Sequence, residues 1–175
     1  MIKTFFIAAF LGFAMYPFQQ THSQFLNLQL KVEPELSTTV EQNLDFGTQV
    51  INSGRNEIRL GDVNMGVFSI RAYHTQNVYL NLEYPDSLVS NFNQSFESIP
   101  LYLSMSYNNS GNNNASNSIP LTQNSGLVSI HENTGSENSR DLWKQLYLYV
   151  YGYIDVNNVP NGVYSADIVL RVDYD

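Results

Sequence analysis

The sequence predicts an all-β protein, built as a sandwich or a barrel. Three observations carry that prediction. Apolar residues recur at every second position in segment after segment, the period of a half-buried strand. The protein is rich in the residue types that favour strands, with 12 Tyr and 10 Phe. Turn residues punctuate the apolar segments at fairly even spacing, and no stretch has a convincing helical period.

The elements follow in order. Residues 1–23, MIKTFFIAAFLGFAMYPFQQTHS, read as a secretory signal peptide. Lys3 is the positive end, Phe5 to Phe18 is mostly apolar and uncharged, and Thr21 and Ser23 are the small residues before a cleavage site at Gln24. Residues 24–175 then form one β-sandwich domain, long enough to bury a core. No other stretch is apolar and long enough to span a membrane.

FLNLQLKV at 25–32 puts Leu26, Leu28, Leu30 and Val32 on one face. LDFGTQVI at 44–51 reads as a strand interrupted by Gly47. VFSIRAY at 67–73 and VYLNLEY at 78–84 alternate and form a hairpin. LYLSMSY at 101–107 alternates through Leu101, Leu103, Met105 and Tyr107. WKQLYLYVYGYIDV at 143–156 is a longer strand. Turns fall at NSG (52–54), GD (61–62), YPD (84–86) and NNVPNG (157–162). The polar stretches 108–118 and 131–141 read as mobile loops.

The final residues are NGVYSADIVLRVDYD, 161–175. Tyr164, Ala166, Ile168, Leu170, Val172 and Tyr174 share one face of a single long strand, apolar to its tip. Terminal strands usually fray, so this one is expected to be covered.

Composition narrows the function. Lys and Arg number 8 against 16 acidic residues, a net charge of −8. Nucleic acid is therefore not an expected partner, because phosphate binding needs clustered cations. Cysteine is absent, which excludes a disulfide and a thiol nucleophile. His74 and His131 have no metal-ligand spacing, and Asp86, Asp141 and Asp155 do not form a calcium loop. No nucleophile elbow, phosphate-cradling glycine loop or HExxH occurs. The expectation is a non-enzymatic protein with no cofactor and no metal.

One aromatic feature offers a binding surface. Tyr147, Tyr149, Tyr151 and Tyr153 alternate along one face of the 143–156 strand. Such a face can stack on sugar rings of a surface glycan, or it can be cross-strand packing on the wetter side of a sheet.

The motif order LDFGT, VFSIRAY, NVYLNLEY, LYVYGYIDV and VPNGVYSADIVLRVDY resembles a domain-of-unknown-function family of secreted bacterial proteins. That family is similar to spore coat protein U and to the pilin subunits of the chaperone–usher pathway. The FGT element and the P-x-G-x-Y-x-A-x-I-x-L-x-V-x-Y ending are its most specific parts. The resemblance implies an immunoglobulin-like, pilin- or adhesin-like β-sandwich at the bacterial surface or in the periplasm, with no enzymatic activity.

Pilin subunits typically carry a penultimate tyrosine and a glycine fourteenth from the end, and Tyr174 and Gly162 match. The resemblance then implies that Gly162, Tyr164, Ala166, Ile168, Leu170, Val172 and Tyr174 border a groove. An added strand fills that groove, supplied by a periplasmic chaperone or by a neighbouring copy. Main-chain hydrogen bonds give such a strand its affinity and alternate side chains its specificity. Residues 25–32 can be the donor, through Leu26, Leu28, Leu30 and Val32, or the first strand of their own sandwich. Many pilins have a disulfide, and this protein departs from them there.

Overall fold

A computed structural model describes residues 36–73, 76–91, 98–130 and 143–175. The signal segment 1–23, the donor candidates Leu26, Leu28, Leu30 and Val32, His74, His131, Asp141 and the loop 131–141 lie outside the described residues.

The described residues form β1 (Ser37–Gln42), β2 (Gly54–Ile58), β3 (Gly66–Tyr73), β4 (Asn77–Glu83), β5 (Ser87–Ser90), β6 (Ser98–Asn108), β7 (Ile119–Leu121), β8 (Ser125–Ser129), β9 (Trp143–Val156), β10 (Tyr164–Ser165) and β11 (Val169–Tyr174). The one helical element described is a single 3-10 turn, Ala115–Asn117. No helix among the described residues is long and apolar enough to cross a membrane.

Two antiparallel sheets pack against each other. The large sheet runs β1-β3-β9-β6-β5-β10, with β2 also beside β9 and β7 beside β6. The small sheet runs β11-β4-β8. β9 organises the large sheet: β3 and β2 pair successive parts of one edge, and β6 pairs the other. Its even-numbered residues Leu146, Leu148, Val150, Ile154 and Val156 face the core. They meet Val78, Leu80 and Leu82 of β4 and Val128 of β8, all in one buried cluster. Each fully buried aliphatic side chain contributes roughly 1.5–3 kcal/mol, which is how a protein without disulfides holds two sheets together.

The alternating segments at 67–73, 78–84, 101–107 and 143–156 are strands as the pattern requires. Four expectations are corrected. The strands at 67–73 and 78–84 do not form a hairpin: β3 pairs with β1 and β9 in the large sheet, and β4 with β11 and β8 in the small one. LDFGTQVI is not a strand. Gly47 has φ +65°, a left-handed conformation that ends an extended run. Its N–H bonds the Asp45 carboxylate at 2.8 Å, while Leu44 and Phe46 still reach the core.

The ending is not one strand. It breaks at 166–168, where the backbone leaves β5 of the large sheet and joins β4 of the small one. The loop 108–118 is built rather than loose. Asn108 Nδ2 donates to the Asn114 carbonyl at 2.7 Å, Asn114 Oδ1 accepts from the Ser116 N–H, and Ser118 Oγ donates to the Ala115 carbonyl.

Candidate functional site

The candidate site is the seam between β1 of the large sheet and residues 166–168, which lead into β11 of the small one. β11 continues one side. It pairs with β4 from Val169↔Glu83 to Tyr174↔Val78, and its other edge has no strand partner among the described residues. Such an edge presents unpaired N–H and C=O groups to any strand that can reach it. β1 forms the other side and likewise pairs only with β3 among the described residues.

The expected apolar face is real across the break in the strand. Tyr164, Ala166, Ile168, Leu170, Val172 and Tyr174 are all half-buried and pack on the core, while Ser165, Asp167, Val169, Arg171 and Asp173 are exposed. None of the inward six is fully buried. Across the seam, Val40 stands in register with Phe68, two along from Thr38↔Ile70. That register puts Val40 on the core-facing side of β1, because Ile70 is wholly buried in the core. Val40 nevertheless remains 55% exposed.

Two concavities continue along this line. A cavity of about 450 Å³ is walled by Leu44, Phe46, Leu101, Ile154, Tyr164 and Ala166, with Gly162 at its rim. A second of about 300 Å³ is walled by Val40, Phe68, Val150 and Ile168. They share Leu44, Ala166 and Ile168. Of the groove residues expected from sequence, Gly162, Tyr164, Ala166 and Ile168 line these concavities, whereas Leu170, Val172 and Tyr174 pack between the sheets. Gly162 has no backbone need to be glycine. A Cβ there would meet Ser90 Oγ and Tyr164 Cε2 at an ordinary 3.6 Å.

β11 is pinned at its tip and on its outer face. Tyr174 Oη accepts from the Tyr73 N–H at 3.1 Å, and the Asp175 N–H donates to the Asn77 carbonyl at 3.2 Å. On the outer face Arg171 Nε donates to Glu83 Oε1 at 2.7 Å. The Glu83 carboxylate raises the guanidinium pKa above its ordinary value.

The tyrosine face is corrected. It is not an open platform, because Tyr149 at its centre is 0% exposed. Tyr149 packs with Ile58, Met65 and Val67 in a second cluster, and Ala115 of the Asn-rich loop packs on that cluster. Its hydroxyl donates to Asn113 Oδ1 at 3.1 Å. Burial, before any other cause, pushes that hydroxyl above the usual tyrosine pKa. Tyr147, Tyr151 and Tyr153 are half-buried, and Tyr151 shares a 2.9 Å hydrogen bond with Ser106.

What remains open is a ladder that residue order alone did not reveal. Tyr102 of β6 pairs in register with Tyr153, and their rings stack at 4.6 Å. The Arg55 guanidinium lies 3.7 Å from the Tyr153 ring centre. Tyr102 is 50% exposed. The sequence signal was present, since Tyr102 is the outward member of the 101–107 alternation. The cross-strand register that joins it to Tyr153 was not.

Among the described residues no group of three or more His, Asp or Glu side chains is placed to hold a metal ion. No protein-family model matches the sequence, and no curated protein matches it.

Proposed function

We propose that this protein is a secreted, non-enzymatic structural or adhesive domain of the immunoglobulin-like, pilin-related kind, and that it acts by β-strand addition along the β11 edge. One observation carries the reading. Val40, on the core-facing side of β1, is still 55% exposed, and it shares a concavity with Ala166 and Ile168, the half-buried residues that lead into β11, whose outer edge has no strand partner among the described residues. A strand laid in this seam would pair with β11 and set alternate side chains against Val40, Phe68, Ala166 and Ile168. The motif order and the Gly162–Tyr174 spacing support the same reading. The strand comes from residues 24–33 of the same molecule, from those residues of a neighbouring copy, or from a periplasmic chaperone.

Light-scattering mass on two polypeptides, residues 24–175 and residues 34–175, tests this. Strand addition between copies gives ladders of oligomers for the longer one, and a shorter one that becomes a stable monomer with a peptide of residues 24–33. A longer polypeptide that is monomeric, with a shorter one that the peptide does not rescue, assigns the segment to its own sandwich and removes strand addition between copies.

A second reading has its own observation. The stacked pair Tyr102–Tyr153, backed by Arg55, is an aromatic surface of the sort that binds glycans. Tyrosine fluorescence that responds to sugars in the parent protein and not in Tyr102→Ala would support it; no response in the parent removes it.

A further inference from the structure

We propose that Asn161–Gly162 is a self-modifying site, at which the asparagine carboxamide cyclises onto the next backbone nitrogen and hydrolyses to aspartate and isoaspartate. The reaction needs three things: an unengaged carboxamide, an unengaged following N–H, and no side chain in the way of their approach. Asn161–Gly162 is the only Asn–Gly step in the sequence, and both residues are exposed. Among the described residues neither the Asn161 carboxamide nor the Gly162 N–H has a hydrogen-bond partner. Glycine supplies the unhindered nitrogen, having no Cβ.

The contrast with other asparagines is specific. At Asn52–Ser53 the following N–H is held by the Val50 carbonyl at 3.0 Å. At Asn117–Ser118 it is held by the Ala115 carbonyl at 3.1 Å. At Asn109–Ser110 it is held by Asn108 Oδ1 at 2.8 Å, and the Asn109 amide is itself spent on the Ser129 carbonyl. Among the described residues the loop around Asn161 is held at its flanks, by Tyr164 Oη donating to the Pro160 carbonyl and by the Asn91 N–H donating to the Val163 carbonyl.

The step balances without an oxidant or reductant. The Gly162 nitrogen loses its proton and forms a bond to Asn161 Cγ. The bond from Cγ to the amide nitrogen Nδ2 breaks, and ammonia leaves with that proton. Water then opens the cyclic imide at either carbonyl. A neutral amide has become a carboxylate, and the net charge moves from −8 to −9. In the isoaspartate product the backbone also runs through the former side chain and is one carbon longer. Both changes fall at the rim of the 450 Å³ cavity that Asn161 and Gly162 line. The chemistry does not depend on strand addition, although a reacted molecule offers an inserted strand a charged rim.

The test is peptide mass mapping with isoaspartate detection, on the full-length protein aged in its native state at mildly alkaline pH. The expected result is a one-dalton gain in the peptide that contains Asn161, part of it isoaspartate, ahead of every other described asparagine. Isoelectric focusing shows a matching acidic species. Gly162→Ala, for which the loop has room, loses that early conversion. Asn161→Gln, which leaves the backbone untouched, abolishes the acidic species even if the alanine variant folds poorly. An Asn161 that converts only in the denatured protein, or as fast in Gly162→Ala as in the parent, overturns the proposal.

Discussion

The phenolic oxygen of Tyr174 accepts a hydrogen bond from the backbone N–H of Tyr73 at 3.1 Å, tying the last strand of the small sheet to an interior strand of the large one. The two residues lie far apart in the sequence, so this is a contact between sheets and not a local turn. Tyr174→Phe keeps the ring and removes the acceptor. The expected loss is about 1 kcal/mol in urea unfolding, with secondary structure unchanged. A midpoint equal to that of the parent would show the bond to be matched by water.

Leu170 and Val169 test the alternation directly. Leu170 points inward onto the core, and Val169, one residue away, is 47% exposed. Leu170→Asp brings a charge against apolar neighbours and is expected to cost about 2–4 kcal/mol. Val169→Asp is expected to stay within about 0.5 kcal/mol. Equal losses in thermal unfolding would mean that the two faces are not distinguished.

Tyr149 and Leu148 sit on opposite faces of β9 and both are 0% exposed. Tyr149→Ala should therefore cost at least as much as Leu148→Ala, about 3–5 kcal/mol. It also leaves Asn113 Oδ1 without its donor and uncovers the cluster under the Asn-rich loop. Guanidinium unfolding of the two variants decides it, and a small loss for Tyr149→Ala would return this residue to the wet side of the sheet.

The same tyrosine sets an alkaline limit. Burial raises its pKa in the folded state, so between the unfolded and folded values the unfolded protein has lost the proton and the native one retains it. Fewer protons bound on unfolding means that stability falls as pH rises, beginning at about pH 10, where unfolded tyrosine ionises. The contribution is fully present below that pH. Melting temperature measured across this range should fall less steeply in Tyr149→Phe than in the parent; parallel slopes would contradict the shift.

Gly152 is the one position on β9 where no side chain fits. A Cβ would stand 2.0 Å from the Tyr102 carbonyl oxygen and 2.9 Å from Leu103 Cα, at a φ of +156°. These are backbone atoms of the paired strand and cannot swing aside. Gly152→Ala is expected to cost more than about 4 kcal/mol, or to prevent folding, while Gly162→Ala is expected to melt with the parent. Similar melting of the two variants would show that β6 and β9 can part locally.

Much of this was legible from residue order. The strand at 143–156 and the inward set from Tyr164 to Tyr174 follow from a period of two, because side-chain alternation is a local property of extended backbone. Other parts were not. β1, β2, β5, β7 and β8 are short and polar or mixed, so their alternation is too weak to read. Their strand character comes from partners such as Arg71 for Ser37 or Pro100 for Ser87. The Asn-rich stretch looked mobile because its composition is that of a loop. Its order draws on Tyr149, a residue on a distant strand.

Which side chains of each long strand share a face was thus set by residue order, since that needs only the backbone's own geometry. Which faces are covered, where the last strand changes sheets and which edges have no partner among the described residues were set by the folded arrangement. Those outcomes depend on pairings such as Leu170 with Leu82 and Tyr102 with Tyr153. Such pairings join segments far apart in the sequence, and no local pattern encodes the register between them.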